Sequence, residues 1–305
     1  MEKVIIIGAG PAGISAALYA VRGKLDPLVI NNGIGALEKA EKIENYYGLE
    51  HPLSGQELYD TGIAQAKALG VRILDAQVLG VGGFDTFVVK TTEGEFETQS
   101  MILATGSKRA APKIPGVKKF EGKGVSYCAI CDAFFYRGKD VAVLGNGDFA
   151  MHEAKELSNT ASTVTIYTNG KEPEFTPEGN ISVNTMKIQS VEGDDLVSGI
   201  RLAPDVQAQE INGEAGQQHN DFCPADGVFI AMGTAGSTEI ARQMGAELTE
   251  KGNIKVNENM ETTIPGLYAA GDCTGGLLQV AKAVYEGAQA GINAGKYVRS
   301  LKQKI

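Results

Sequence analysis

Val4-Ile5-Ile6-Ile7 is an unbroken run of β-branched residues, the pattern of a strand buried on both faces of a parallel sheet. A glycine-rich turn and an alanine-rich segment follow, and Leu28-Val29-Ile30 gives a second buried strand. This is a βαβ unit. The pattern returns at Val141-Ala142-Val143-Leu144, then Gly145-Asn146-Gly147-Asp148-Phe149-Ala150, a helix to about Leu157 and a strand Val164-Thr165-Ile166-Tyr167. Near the end, Gly266-Leu267-Tyr268-Ala269-Ala270-Gly271-Asp272 reads as a strand entering a Gly-Asp turn, with a helix from about Gln279 to Leu301 beyond it. Two βαβ beginnings predict an α/β protein of two Rossmann-like, three-layer dinucleotide-binding domains, the second inserted in the first. The expected outer domain is residues 1–115 with 246–305, and the inserted one 116–245.

The chain has 305 residues, enough for two domains with sizeable cores, and its 43% hydrophobic and 21% charged content is that of a globular protein. A formal net charge of −9 argues against a nucleic-acid partner, because no global positive field would gather phosphates. Val4 to Val21 carries no charge and is long enough for a membrane span, but Gly8-Ala9-Gly10-Pro11-Ala12-Gly13 breaks it into strand, turn and helix. No membrane association is expected. Four cysteines, two of them three apart, suit a reducing compartment, and the cytoplasm is the expected location.

Gly8-x-Gly10-x-x-Gly13 sits where a strand turns into a helix, the context that gives the spacing meaning. Gly8 permits the tight turn, Gly10 lets a pyrophosphate approach the backbone, and Gly13 allows close helix–strand packing. The helix N-terminus adds partial positive charge. The second strand of such units ends in an acid that holds the adenosine ribose, whereas here Asn31 and Asn32 follow it. Asn31 is either a hydroxyl-binding amide or a turn residue.

Cys128-Ala129-Ile130-Cys131-Asp132 is the strongest chemical signal. Cysteines at this spacing close a reversible disulfide and yield reactive thiolate near neutrality, and the adjacent Asp132 is placed to carry a proton. A zinc site needs a second Cys/His pair at ligand spacing; Cys223, Cys273, His51, His152 and His219 are scattered, so no metal is expected. Cys223 and Cys273 read as structural.

Over essentially its whole length the chain resembles the low-molecular-weight thioredoxin reductases. The matching residues are the first glycine turn, Glu44-Asn45-Tyr46, Gly55-Gln56-Glu57-Leu58, Ala104-Thr105-Gly106, Cys128 to Asp132, Ala269-Ala270-Gly271-Asp272 and Gln279-Val280-Ala281. The resemblance implies FAD in the outer domain. Gly8, Gly10, Pro11, Ala12, Gly13, Asn31, Asn32 and Leu37 would surround adenosine and pyrophosphate, with Val78 near the adenine. Asn45, Ala104, Thr105, Gly106, Gly271, Asp272, Gln279, Val280 and Ala281 would line the rest of the cofactor. It further implies that Cys131 is the cysteine nearer the flavin, that Cys128 attacks the disulfide of a thioredoxin-like protein, and that Asp132 is the proton donor. A homodimer and a large rotation of the inserted domain belong to the same resemblance.

The inserted domain departs from that family. Phe149 stands where the family has a small hydroxyl residue, and a phenyl ring there is expected to crowd a pyrophosphate. After the next strand, Thr168-Asn169-Gly170 replaces the family's His-Arg-Arg cluster, and Lys171-Glu172-Pro173-Glu174-Phe175 offers one cation beside two acids. The 2′-phosphate of NADPH therefore lacks its bidentate partners, and Asn169 is not the acid that would hold NADH. The pattern resembles the branch of the family that takes electrons from ferredoxin. Between Lys108 and Lys123 stand Lys108, Arg109, Lys113, Lys118, Lys119 and Lys123 against Glu121 alone; the run either steers an acidic electron carrier or is a solvated basic linker. The alternatives are an NADPH-dependent thioredoxin reductase and a flavin redox sensor without sustained turnover.

Overall fold

The computed structural model describes residues 1–83, 85–106, 112–204, 221–232 and 236–301, without the side chains of Ile130 and Cys131. The chain forms two compact units, Met1–Arg109 with Ala235–Ile305, and Ala110–Thr234.

The first unit opens with β1 (Glu2–Ile7), α1 (Pro11–Arg22), β2 (Pro27–Asn31), α2 (Gly55–Ala68) and β3 (Arg72–Asp75). β4 (Val78–Gly82), β5 (Phe87–Thr91) and β6 (Gly94–Leu103) follow. β6 changes character along its length. Its polar first half pairs antiparallel with β5, which pairs with β4. Its apolar second half, ending Met101-Ile102-Leu103, lies parallel between β1 and β15 (Leu267–Ala269). The parallel order is β3-β2-β1-β6-β15. Val4, Ile5 and Ile6 are fully buried, as the unbroken apolar run predicts.

Helix α5 (Ser237–Gln243) and helix α6 (Val280–Leu301) complete this unit. α6 lies against α1 at very short range. A Cβ on Gly287 or Gly291 would stand 2.1 Å from the Ala12 carbonyl oxygen or 2.3 Å from that of Ala16, so no larger residue fits without parting the helices. α1 is only 12 residues long, and among the described residues no helix is long and apolar enough to cross a membrane.

The second unit holds β7 (Val125–Ser126), α3 (Ala129–Asp132), β8 (Asp140–Leu144), α4 (Asp148–Ser158), β9 (Thr163–Tyr167) and β10 (Ser182–Asn184). β11 (Ile188–Gly193), β12 (Val197–Leu202), β13 (Phe222–Pro224) and β14 (Gly227–Ile230) follow. A parallel sheet runs β10-β9-β8-β14-β7, and β11-β12-β13 form a separate antiparallel sheet. Both units are thus α/β with Rossmann-like parallel sheets, the second inserted in the first.

The seams fall at Arg109/Ala110 and Thr234/Ala235, not at 115/116 and 245/246. Packing explains both shifts. Ile114, Val117 and Phe120 are built into the core of the second unit. Ser237, at the start of α5, is hydrogen-bonded to Thr105 in the first.

Candidate functional site

In the first unit Gly8, Asn31, Ala104 and Gly271, among the residues expected around a flavin, follow or close the carboxyl ends of the parallel strands, where open α/β sheets bind ligands. The Gly8 N–H donates to Ile30 O, the Ala104 N–H to Ile7 O, and the Ala270 N–H to Leu103 O, so the ends of β1, β2, β6 and β15 converge. Gly13 is pressed against this turn: a Cβ there would lie 1.8 Å from Gly8 O. At Gly10 the reverse holds, with nothing within 4 Å of a Cβ position, and this residue caps α1 without a side-chain hydrogen bond. A helix N-terminus bordered by open space fits a pyrophosphate. Pro11 and Ala12 begin α1, and Leu37 lies in a short 3₁₀ turn, Gly35–Lys39.

Asn31 is more than a turn residue. Its Nδ2 donates to Asp75 Oδ1 (2.6 Å) and its Oδ1 accepts from the Tyr59 hydroxyl (2.8 Å). The carboxylate missing at the end of β2 thus stands beside it on β3, directly across the ladder. Asn32 is exposed, and Val78 is buried at the start of β4.

Residues far apart in sequence meet on the other side of the turn. Asn45 Nδ2 donates to Gln279 Oε1 at 3.0 Å. The Thr105 N–H donates to Ser237 Oγ, and the Ser237 N–H to Thr105 Oγ1, which fixes the Ala104-Thr105-Gly106 segment. Gly271 approaches Ala12 closely, and its N–H donates to buried Glu286. Lys282 pairs with Glu286 at 3.0 Å and also donates to Gly271 O. Asp272 follows, its carboxyl held above the ordinary range by burial, with Lys282 opposing the shift. Val280 and Ala281 open α6. Among these, Ser237, Tyr59, Asp75 and Glu286 carry no local sequence signal.

The Cys-x-x-Cys turn lies in the second unit at the start of α3. Cys128 is disulfide-bonded and buried; the side chain of Cys131 lies outside the described residues. Buried Ser126 ties the turn together: its Oγ donates to Asp132 Oδ2 (2.6 Å) and accepts from the Cys128 N–H (3.1 Å). The Asp132 N–H donates to Cys128 O. Asp132 is therefore held by a hydroxyl that also touches the cysteine backbone. Among the described residues, Cys223 and Cys273 are free. Cys273 is buried and its thiol is pushed up to about 12, chiefly by desolvation, so it is not a nucleophile near neutrality.

Glu153 of α4 reaches the same turn, with Oε2 accepting from the Ala129 N–H at 2.6 Å. Burial raises its carboxyl from 4.5 to about 7, the Ala129 bond opposing and Glu156 assisting. An acid raised on folding stabilises the fold below its unfolded value and loses that contribution as pH rises through the folded one. Glu153→Gln is therefore expected to gain on the wild type as pH rises from 4.5 to above about 7, by up to roughly 3 kcal/mol. Urea unfolding at pH 5 and pH 8 checks this; a pH-independent difference contradicts it.

The second dinucleotide-type turn has an acid of the chain beside it. Gly147 caps α4 without a side-chain bond. The Glu174 N–H donates to Asn146 O (2.7 Å), and Glu174 Oε2 lies 3.9 Å from a Cβ position on Gly147. An acid thus stands where a pyrophosphate would approach. Asn169 is occupied too, its Oδ1 accepting from the Ile188 N–H at 2.9 Å, in a left-handed backbone conformation (φ 54°). Phe149 is only 3% exposed. Its ring is therefore buried, and the acid beside the turn is Glu174. In the basic run, Lys113, Lys118, Lys119 and Lys123 are exposed, while Lys108 and Arg109 lie outside the described residues.

Residues 2–287 match the profile of the pyridine nucleotide-disulphide oxidoreductase family. The chain is 35% identical over 318 residues to a thioredoxin reductase from Aquifex aeolicus, covering 99% of this chain and 94% of the relative. Its structure resembles the atypical thioredoxin reductase TRi from Desulfovibrio vulgaris Hildenborough (TM-score 0.87, 39% identity, 98% and 99% of the two chains). It also resembles a ferredoxin-flavin thioredoxin reductase from Clostridium acetobutylicum (TM-score 0.68, 30% identity, 98% of each chain). With both dinucleotide-type folds and the Cys128 turn in place, the chain belongs to the pyridine nucleotide-disulphide oxidoreductase family, as a homologue of the low-molecular-weight thioredoxin reductases.

Proposed function

We propose that this chain is a flavin-type thioredoxin reductase that takes electrons from ferredoxin instead of a pyridine nucleotide. With FAD bound, electrons from ferredoxin would reach the Cys128–Cys131 pair by way of the flavin and go from there to the disulfide of a thioredoxin-like protein. The observation that carries the donor assignment is the Glu174 carboxylate beside Gly147, with Asn169 committed to Ile188 in place of a cation. Lys113, Lys118, Lys119 and Lys123, all exposed, supply positive charge for an acidic carrier. A plant-type ferredoxin near −400 mV reduces a thioredoxin near −270 mV with roughly 6 kcal/mol in hand for two electrons.

FAD, when bound, accepts electrons singly or in pairs and passes them on as a pair. The Gly8–Gly13 turn and the N-terminus of α1 would hold its pyrophosphate, with Asn31, Asn32, Leu37 and Val78 about the adenosine. Asn45, the Ala104–Gly106 segment, Gly271, Asp272, Gln279, Val280 and Ala281 would line the remainder. At the dithiol, the Cys128 thiolate attacks the substrate disulfide and releases one substrate thiolate. Cys131 then attacks the Cys128 sulfur, releasing the second and restoring the internal disulfide. Asp132, held by Ser126, exchanges the protons these steps require. A homodimer belongs to the same reading.

A protein substrate also needs a docking surface. Phe134 and Phe135, just after Asp132, are 71% and 68% exposed and lie edge to face. Replacing both with Ala is expected to raise KM for thioredoxin roughly 30-fold, while reduction of a small-molecule disulfide keeps its rate. Equal KM values contradict a docking role.

Steady-state reduction of thioredoxin tests the donor assignment. Reduced ferredoxin is expected to support turnover, and NADPH less than about one per cent of that rate. NADPH-driven turnover of comparable rate overturns it, and flavin reduction by ferredoxin without turnover assigns the chain to a redox sensor instead.

A further inference from the structure

Among the described residues Glu153 is the most deeply buried acid of the second unit, only 1% exposed, and one of its carboxylate oxygens is spent on the backbone of the dithiol turn. Its other oxygen, Oε1, is buried with no hydrogen-bond partner among the described residues. An unsatisfied buried carboxylate is costly, and a capping role for the Ala129 N–H would be met equally well by a neutral amide. What a neutral amide does not offer is a proton. Ala129 directly follows Cys128, so a charge on Glu153 sits one hydrogen bond and one peptide link from the cysteine expected to become ionic on reduction.

We infer that Glu153 is a positioning residue of the dithiol turn that exchanges one proton with the reduced pair, so that the Cys128 thiolate and an ionised Glu153 exclude one another near neutrality. This rests on the reading of Cys128–Cys131 as the redox-active pair. Two electrons break the S–S bond, and two protons enter in either of two forms. With Glu153 ionised, both sulfurs take a proton and end as thiols. With Glu153 protonated, it holds one proton, one sulfur holds the other, and Cys128 stays a nucleophilic thiolate. The two forms have the same composition and differ in where one proton sits, which is the condition for coupled titration.

α3, β8 and β9 pack on α4, and the titratable groups these elements carry are held by other partners or stay neutral. On its own helix, Glu156 opposes its ionisation, and His152 lies 4.0 Å from Glu156. On α3, Asp132 is held by Ser126. On β9, burial raises the Tyr167 phenol, keeping it neutral, and Asp140 of β8 accepts from Thr163. A carboxyl already raised towards neutrality by burial is suited to the role.

The test compares the wild-type holoprotein with Glu153→Gln, whose amide oxygen still accepts from Ala129. Each is reduced anaerobically with dithiothreitol, and alkylation of Cys128 by iodoacetamide is followed from pH 5 to 10 by mass mapping. The wild type is expected to show a two-step profile, and the Gln variant a single step shifted at least one pH unit lower. Its alkylation near pH 6.5 is then about tenfold faster. Superimposable profiles overturn the proposal and leave Glu153 a structural anchor. A second measurement uses the wild type alone, so it stands even if the variant does not fold. In reduced-minus-oxidised infrared spectra a protonated-carboxyl band is expected to appear on reduction and to persist in Asp132→Asn; its absence overturns the coupling. Failure of the underlying reading looks different. A pair that dithiothreitol does not open to two alkylatable thiols ends the redox role of the dithiol, and this coupling with it.

Discussion

Cys128→Ser and Cys131→Ser are each expected to lower ferredoxin-driven reduction of thioredoxin by at least about a thousandfold, since removal of a nucleophile that acts in concert with others abolishes its step outright. A serine hydroxyl is close in size to the thiol, so the buried position of Cys128 is not left as a cavity. It stays un-ionised at neutral pH, however, and cannot form the disulfide on which both transfers depend. The proposed FAD residues belong to the other compact unit, so flavin content per chain should equal that of the wild type. Absorbance of the purified variants gives the flavin content, and thioredoxin turnover gives the loss. Activity retained in either variant contradicts the dithiol assignment.

NADPH is expected to be ineffective by a comparable margin. A 2′-phosphate carries close to two negative charges, and each charge-assisted hydrogen bond it lacks costs roughly 1.5–3 kcal/mol. Two such contacts missing after β9 weaken binding by roughly 10²–10⁴-fold. The Glu174 carboxylate beside Gly147 adds like-charge repulsion against the pyrophosphate, and its backbone bond to Asn146 holds the segment there. Steric crowding by Phe149 is not needed, because that ring is buried. NADPH-driven turnover is therefore expected below about one per cent of the ferredoxin-driven rate.

Much of this architecture was legible in the sequence because it is written in local patterns. The β-branched runs at Val4–Ile7 and Val141–Leu144, each followed by a glycine turn, became β1 and β8. The Gly266–Asp272 segment became β15 and its turn. The Cys128–Asp132 motif likewise stood out by its spacing, and the structure places it at the start of α3. What escaped were partners supplied by remote segments. Ser237 reaches Thr105 across 132 positions, and Glu153 reaches Ala129 across 24. Neither residue stands in a motif of its own, and only the folded chain brings them together. The seams between the units were misplaced for a related reason. The sequence pattern put residues 110–115 with the first unit and 235–245 with the second, yet Ile114 packs into the second core, and Ile240 and Ala241 are buried on α5. Phe149 shows a third limit, since its place in the turn was legible but its burial was not.

Anaerobic titration of the oxidised holoprotein with stoichiometric NADPH, followed by reduced ferredoxin, bears most directly on the proposed loss of the nucleotide from the inserted domain. The flavin absorbance should hold through the first addition and bleach during the second. Bleaching by NADPH at one equivalent would mean that the Glu174-lined turn still seats the nucleotide.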